Sequence, residues 1–219
     1  MNKYKAIIWD LDGTLMDTLQ DLCLATNHAL RTYGMPERTL DEVRRFVGNG
    51  VRRLIQLAVP QGEENPLFED VFKVFKAYYV VHCQDNTGLY DGIADTLKVL
   101  KEQGMKMAVV SNKLQSGVDE LYRDYLSATI DVAIGERPGM QRKPAPDMVN
   151  LALSELGVTK DEAVYIGDSD VDLMTAQNAG LPCISVLWGF RDRDFLIQHG
   201  ATTFAEKPSD ICGIVSSKG

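Results

Sequence analysis

Closely spaced aspartates are the first chemistry this chain offers. Asp10 and Asp12 stand one residue apart, directly after the apolar run Tyr4-Lys5-Ala6-Ile7-Ile8-Trp9. In an extended segment, residues i and i+2 point to the same side, so both carboxylates can face one site. Asp168 and Asp170 follow a second apolar run, Val164-Tyr165-Ile166, with Asp172 one helical turn on. Ser111 and Asn112 follow a third, Met107-Ala108-Val109-Val110, and Lys143 sits in Arg142-Lys143-Pro144-Ala145-Pro146. Carboxylates with no histidine or thiolate beside them favour a hard cation, Mg2+ first, which takes few protein ligands and shares phosphate oxygens. A carboxylate is also a nucleophile able to form an aspartyl-phosphate. Lys143 and the Ser111 hydroxyl suit phosphoryl oxygens and the charge of a transition state. Backbone N–H groups from Leu11 to Thr14 suit the same oxygens, with Gly13 permitting the tight turn.

Such side chains converge only if their strands lie side by side. From residue 91 onward the pattern alternates. A helix capped by Asp91 runs to Gly104, then come a strand at 107–110, a helix at 115–125 and a strand at 130–134. A helix at 146–156, a strand at 164–166, a helix at 170–179 and a strand at 183–187 follow, then a short helix and a last strand near 202–204. Alternation of this kind implies a parallel sheet covered on both faces, with ligands bound outside the carboxyl ends of its strands. Residues 17–83 break the rhythm with helices alone, at 18–33, after a Thr39–Glu42 capping box, at 51–58 and at 66–81. The expected fold is therefore α/β, a Rossmann-like doubly wound parallel-sheet core with an inserted all-helical domain. Residues 1–16 and 84–219 form the core, 17–83 the insertion, and 15–18 and 83–88 the hinges. Gly48-Asn49-Gly50 is too short for a nucleotide fingerprint, and no G-x-G-x-x-G or P-loop string occurs.

Composition narrows the partners. The 219 residues are 45% hydrophobic and 25% charged, an ordinary globular balance. A net charge of −8 makes nucleic acid and anionic lipid poor partners, and obliges an anionic substrate to find local cations. Cys23, Cys83, Cys183 and Cys212 are too scattered for a metal clamp or redox pair and read as thiols of a reducing compartment. No apolar run approaches the ~20 residues of a membrane span. Met1-Asn2-Lys3-Tyr4-Lys5 leads straight into a strand, unlike a secretory signal. A cytoplasmic location is expected.

The motifs, taken together, resemble those of the haloacid dehalogenase-like phosphatases. Asp10-Leu11-Asp12-Gly13-Thr14-Leu15 is similar to the first motif and Val109-Val110-Ser111-Asn112 to the second. Arg142-Lys143-Pro144 is similar to the third, and Gly167-Asp168-Ser169-Asp170-Val171-Asp172 to the fourth, all in family order. Ala179-Gly180-Leu181-Pro182 and Trp188-Gly189-Phe190-Arg191 also look like this family, and a helical insertion after the first motif resembles its first cap type. Within the superfamily, Val47-Gly48-Asn49-Gly50, Ser111-Asn112-Lys113 and Trp188-Gly189-Phe190 look most like the phosphoglycolate phosphatases.

The resemblance implies that Asp10 attacks phosphorus and that Asp12 protonates the leaving alcohol and then activates water. It implies Mg2+ held by Asp10, the backbone carbonyl of Asp12, and Asp168, with Asp172 orienting a water or Lys143. Leu11, Gly13, Thr14, Ser111, Asn112 and Lys143 would bind the phosphoryl group. Dehalogenases of the family lack an acid two residues after the nucleophile, so Asp12 favours ester cleavage. Asn49 and Arg52 of the insertion are candidate substrate contacts, against alternative readings as a turn residue and a solvated helix face. The expected partner is a small-molecule phosphate ester, 2-phosphoglycolate first, acted on by a monomer or homodimer. The rival readings are a pyrophosphatase, a nucleotidase, a sugar-phosphate phosphatase or mutase, and, from another class, a phospho-Asp signalling receiver.

Overall fold

Strands buried on both faces need near-continuous apolar runs, and this chain supplies them. The computed structural model describes residues 3–216. Met1 and Asn2, at the head of the segment read as unlike a signal, and residues 217–219, at the end of the expected core, lie outside the described residues. The chain opens with β1 (Ala6–Trp9), every residue of it buried. It continues through β2 (Met16–Asp17), α1 (Leu19–Thr32), α2 (Leu40–Phe46), α3 (Gly50–Ala58), α4 (Phe68–His82) and β3 (Gly88–Leu89). Alternation then sets in with α5 (Ile93–Glu102), β4 (Lys106–Leu114), α6 (Gln115–Leu121), β5 (Val132–Glu136) and α7 (Asp147–Leu156). It ends with β6 (Ala163–Gly167), α8 (Asp170–Ala179), β7 (Cys183–Val186), α9 (Arg193–Gln198), β8 (Phe204–Ala205) and α10 (Asp210–Ser216).

Six strands form one sheet in the order β5-β4-β1-β6-β7-β8, while β2 and β3 form a separate two-stranded sheet. Every pairing in the large sheet is parallel. β1 lies between β4 and β6, with Trp9 opposite Val109 on one side and Ile166 on the other. The strand order reverses between β1 and β6, which opens a crevice beyond their carboxyl ends. One face of the sheet is sealed by Met148, Val149, Ala152 and Leu153 of α7 and Ala176 and Ala179 of α8, packed on Ala6, Ile8, Ala108, Val110, Ala163 and Tyr165.

Two compact units divide the chain, one of residues 1–15 and 89–219, the other of 16–88. The second is helical. The Thr39–Glu42 box is present, with Glu42 N–H donating to Thr39 Oγ1 at 3.2 Å and Thr39 N–H to Glu42 Oε2 at 2.8 Å. Buried Asp21 accepts from the backbone and side-chain amides of Asn86 and from the Thr87 hydroxyl, which ties the two ends of this unit together.

Local expectations needed correction in several places, the strand expected at 107–110 among them, since β4 runs on through Ser111 to Leu114. α5 starts behind Gly92, whose φ of 84° turns the chain, and no side chain caps it, so Asp91 is not its cap. The helix expected at 115–125 stays α-helical only to Leu121 and then widens into a π-turn over Tyr122–Leu126, with Ser127 N–H donating to Tyr122 O at 2.8 Å. A further turn follows it, in which the Ile130 N–H donates to Leu126 O, so β5 starts at Val132 rather than at 130. α10 has no counterpart in the expected pattern.

Candidate active site

β1 and β6 end side by side, and their acids meet there. Lys143 reaches in from the loop before α7. Its Nζ donates to Asp10 Oδ1 at 2.6 Å, Asp172 Oδ1 at 2.8 Å and Tyr165 Oη at 3.1 Å. The Lys143 side chain is 3% exposed. A buried ammonium needs this much compensation, since desolvation alone costs several kcal/mol per ion. Its loop is fixed by Asn112, whose side-chain oxygen accepts the Lys143 N–H at 2.8 Å and whose amide donates to Lys143 O at 3.1 Å.

Asp172 is saturated. Its Oδ1 also accepts from Tyr165 at 2.9 Å. Its Oδ2 accepts from Ser169 Oγ at 2.6 Å, Ser169 N–H at 3.1 Å and Asp168 N–H at 3.2 Å. Ser169 is the N-cap of α8, and Asp172 closes the reciprocal box. Asp168 is therefore not the cap and points elsewhere. Its Oδ2 accepts the Phe190 N–H at 2.6 Å. Glycines leave room for it. A Cβ on Gly13, where φ is 90°, would stand 2.4 Å from Asp168 Oδ2, and one on Gly189 would stand 2.3 Å from Asp168 Cβ and 2.4 Å from Gly13 O. The loop after β1 is held by Trp188, whose Nε1 donates to Thr14 O at 3.0 Å. The Thr14 N–H turns back to Leu11 O at 3.3 Å, and its hydroxyl lies 3.5 Å from Asp10 Oδ2.

Asp12 faces the other neighbour, β4. Its Oδ2 accepts from Ser111 Oγ and its Oδ1 from Lys113 Nζ, each at 3.4 Å. Asn49 and Arg52 lie in the helical unit. Asn49 is exposed and stands at the N-cap position of α3 without a side-chain capping bond. Arg52 pairs with Glu63 at 2.8 Å and Glu69 at 2.6 Å, with its guanidinium over the rings of Phe68 and Phe72.

Charge in this cluster is unevenly shared. Burial, and then the charge of Asp172, holds the Asp10 carboxyl well above the usual carboxylate range, although Lys143 pulls it back. Burial and Asp172 push Asp168 up to about 7. Asp172 is buried too, yet the Lys143 charge and its hydrogen bonds outweigh burial and hold it low. One carboxylate oxygen from each of Asp10, Asp168 and Asp172 lies within 4.8 Å of the others. With Asp172 saturated, Asp10 and Asp168 are the acids of this set with oxygens left for a cation. A hard divalent cation fits that all-oxygen set.

Tyr165 was not singled out from the sequence, and Lys113, Gly189 and Phe190 were read only as parts of family-like strings, with no role at the site. Tyr165 sits in a strand that reads as core, yet a buried phenol needs a hydrogen-bond partner, which was the available signal. Lys113 is two residues past Ser111 on one strand, the same spacing that joins Asp10 to Asp12. Gly189 and Phe190 act through a contact with Asp168 that no local pattern encodes.

Comparison with known proteins places the chain in a family. The model of the haloacid dehalogenase-like hydrolase family matches residues 7–186. The chain is 37% identical over 190 residues to a phosphoglycolate phosphatase of Rhodobacter capsulatus, covering 85% of each chain. It is 34% identical over 188 residues to that of Aquifex aeolicus, covering 85% of this chain and 86% of the relative. A crystal structure from Lactobacillus delbrueckii subsp. bulgaricus, provisionally assigned as a phosphoglycolate phosphatase, superposes with a TM-score of 0.94 at 37% identity, over 99% of this chain and 100% of that one. The chain belongs to the haloacid dehalogenase-like hydrolases, as one of their phosphatases.

Proposed function

We propose that the protein is a Mg2+-dependent phosphomonoesterase whose preferred substrate is 2-phosphoglycolate, and that Asp10 is its nucleophile. The observation that carries the reading is the Lys143 ammonium, buried between Asp10 and Asp172 at 2.6 and 2.8 Å. A cation so placed orients Asp10 and lies where phosphoryl oxygens arrive. The relatives named phosphoglycolate phosphatase, at 34–37% identity, support the substrate.

In this reading one Asp10 oxygen attacks phosphorus as the bond to the leaving oxygen breaks, and Asp12 gives that oxygen its proton. The Asp12 carboxylate then takes a proton from water, whose oxygen attacks the phospho-aspartate and returns Asp10 as a carboxylate. Lys143 and the Ser111 hydroxyl hold the transferring oxygens, and the turn at Leu11, Asp12 and Gly13 offers N–H groups to them. Mg2+ would be held by Asp10, Asp168 and the backbone carbonyl of Asp12, and when bound supplies the positive charge that favours an ionised Asp10 and offsets the phosphoryl charge. Asp172 positions Lys143. The helical unit serves as the cap, and the enzyme works in the cytoplasm.

The test is a screen of phosphate esters with and without Mg2+, scored by kcat/KM. The expected outcome is highest kcat/KM on 2-phosphoglycolate, dependence on Mg2+, and no turnover by Asp10→Asn. Wild-type turnover by Asp10→Asn would remove the nucleophile assignment, and a clear preference for another ester would remove the substrate.

A further inference from the structure

Thr18 stands where a helix cap belongs and does not cap. It holds the N-cap position of α1 with φ −110° and ψ 2°, and its side chain makes no capping bond. The residue is fully buried, and its Oγ1 has no hydrogen-bond partner. A buried hydroxyl in that condition has lost its bonds to water and gained none. Thr39, Ser169 and Asp192 show the capping conformation. Their ψ values are 159°, 168° and 166°, and each side chain accepts an N–H from the first turn of its own helix.

The sequence at α1 is nonetheless that of a capped helix. Thr18-Leu19-Gln20-Asp21 has the spacing of Ser169-Asp170-Val171-Asp172. In α8 that spacing closes a reciprocal box, with Asp172 N–H donating to Ser169 Oγ at 3.4 Å and Ser169 N–H to Asp172 Oδ2 at 3.1 Å. In α1 the acid is engaged elsewhere. Asp21 is 2% exposed and accepts from Asn86 N–H at 3.0 and 3.1 Å, Asn86 Nδ2 at 2.8 Å and Thr87 Oγ1 at 2.8 Å. The chain entering the helical unit and the chain leaving it thus meet on one carboxylate, and the entering side carries the orphaned hydroxyl.

We propose that the start of α1 is a latch with two positions. In the present one, Asp21 holds residues 86 and 87 and Thr18 is left without a partner. In the other, Thr18 turns to the extended ψ of a cap, its hydroxyl accepts the Asp21 N–H, and the Asp21 carboxylate takes the Thr18 N–H in place of Asn86 and Thr87. Each position satisfies groups that the other leaves bare, which makes two discrete states rather than a continuum. The turn at Thr18 redirects the chain entering α1, while release of residues 86 and 87 frees the chain leaving the unit. The two linkers therefore change together, as hinge residues do when they absorb a change in φ and ψ. The inference goes beyond the phosphatase reading and does not depend on it.

The test is amide hydrogen exchange by NMR on the full chain, without substrate and at low urea. The Asn86 N–H reports release by Asp21. The Asp21 N–H, in the first turn of α1 and without an intrahelical acceptor, reports closure of the box. Thr18→Val keeps the shape and removes the orphaned hydroxyl. It is expected to raise the urea midpoint and to slow exchange at Asn86 by roughly 10-fold, beyond any change at the Glu42 amide of the Thr39 box. Asn86→Ala removes one donor to Asp21 and tips the latch the other way. Exchange at residue 86 is expected to quicken by about 5-fold and exchange at Asp21 to slow by a similar factor, and adding Thr18→Val abolishes that slowing. A lower urea midpoint in Thr18→Val would show that its hydroxyl is partnered, and unchanged exchange at Asn86 would show that it has no part in release. Faster exchange at both residue 86 and Asp21 in Asn86→Ala would show plain loosening with no second position. Each of these three results overturns the inference, and none of them touches the phosphatase reading.

Discussion

Lys143 and the two carboxylates it touches act as a unit, so removing one member exposes the others. Lys143→Met leaves Asp10 and Asp172 facing each other without a cation. Breaking a buried pair in this way costs about 3–5 kcal/mol. Loss of a donor aimed at transition-state charge costs about 10²–10³ in kcat. Lys143→Met is therefore expected to unfold at lower urea and to turn over 2-phosphoglycolate at least a hundredfold more slowly; kinetics within threefold of wild type would contradict the role. Tyr165 is a subtler case. Its hydroxyl donates to Asp172 and accepts from Lys143, and it is buried. Tyr165→Phe is expected to lose about 1–2 kcal/mol in urea unfolding, because the remaining partners keep most but not all of their hydrogen bonds.

At the scale of elements, the site depends on how closely the loops after β1, β6 and β7 approach. Gly189→Ala forces a methyl within 2.4 Å of Gly13 O, a backbone atom that yields only if the whole loop shifts. It is expected to cost at least tenfold in kcat/KM and to weaken the dependence on Mg2+, by displacing Asp168. Gly213, inside α10, is the contrasting position, since a methyl added there would meet nothing within 4 Å. Gly213→Ala is expected to stabilise by about 0.5–1 kcal/mol through helix propensity, measured by urea unfolding. The same contrast marks what was legible in the sequence. Buried strands such as Ala6–Trp9 announce themselves because both faces are apolar, and polar residues at their ends stand out against that background. Asp10, Asp12, Ser111 and Asp168 were legible for that reason, and Lys143 through the string Arg142-Lys143-Pro144 ahead of a helix. The start of β5 was not, because the chain leaving the π-turn of Tyr122–Leu126 is still turning at Ile130, whose N–H donates back to Leu126 O, and an isolated turn bond leaves no periodic trace. Nor was the use of Tyr165, whose hydroxyl function is hidden in an apolar run until Lys143 is brought to it from another part of the chain.

For the molecule as a whole, the buried cluster of Asp10, Asp168 and Asp172 around Lys143 sets how stability responds to pH. The Asp168 carboxyl, at about 7, binds its proton more tightly than an unfolded aspartate at about 3.9. Between those values the folded chain holds the extra proton, so stability without a divalent cation falls as pH rises from about 4 to about 7. Asp10, also raised, acts in the same sense. Asp172, held low, acts in the opposite sense, contributing stability that is lost as pH falls through the acid range. Mg2+ needs ionised carboxylates and competes with the protons on Asp10 and Asp168. The rise in Tm on adding Mg2+ is thus expected to be larger at about pH 8 than at about pH 5.5; an equal rise at both would contradict the cation site. The central claim is covalent, and it is tested most directly by acid-quenching the enzyme during turnover and mapping the peptides by mass spectrometry. The expected result is one phosphoryl group on the peptide that carries Asp10, absent in Asp10→Asn and more abundant in Asp12→Asn; a phosphoryl group on another residue, or none at any time of quench, would contradict it.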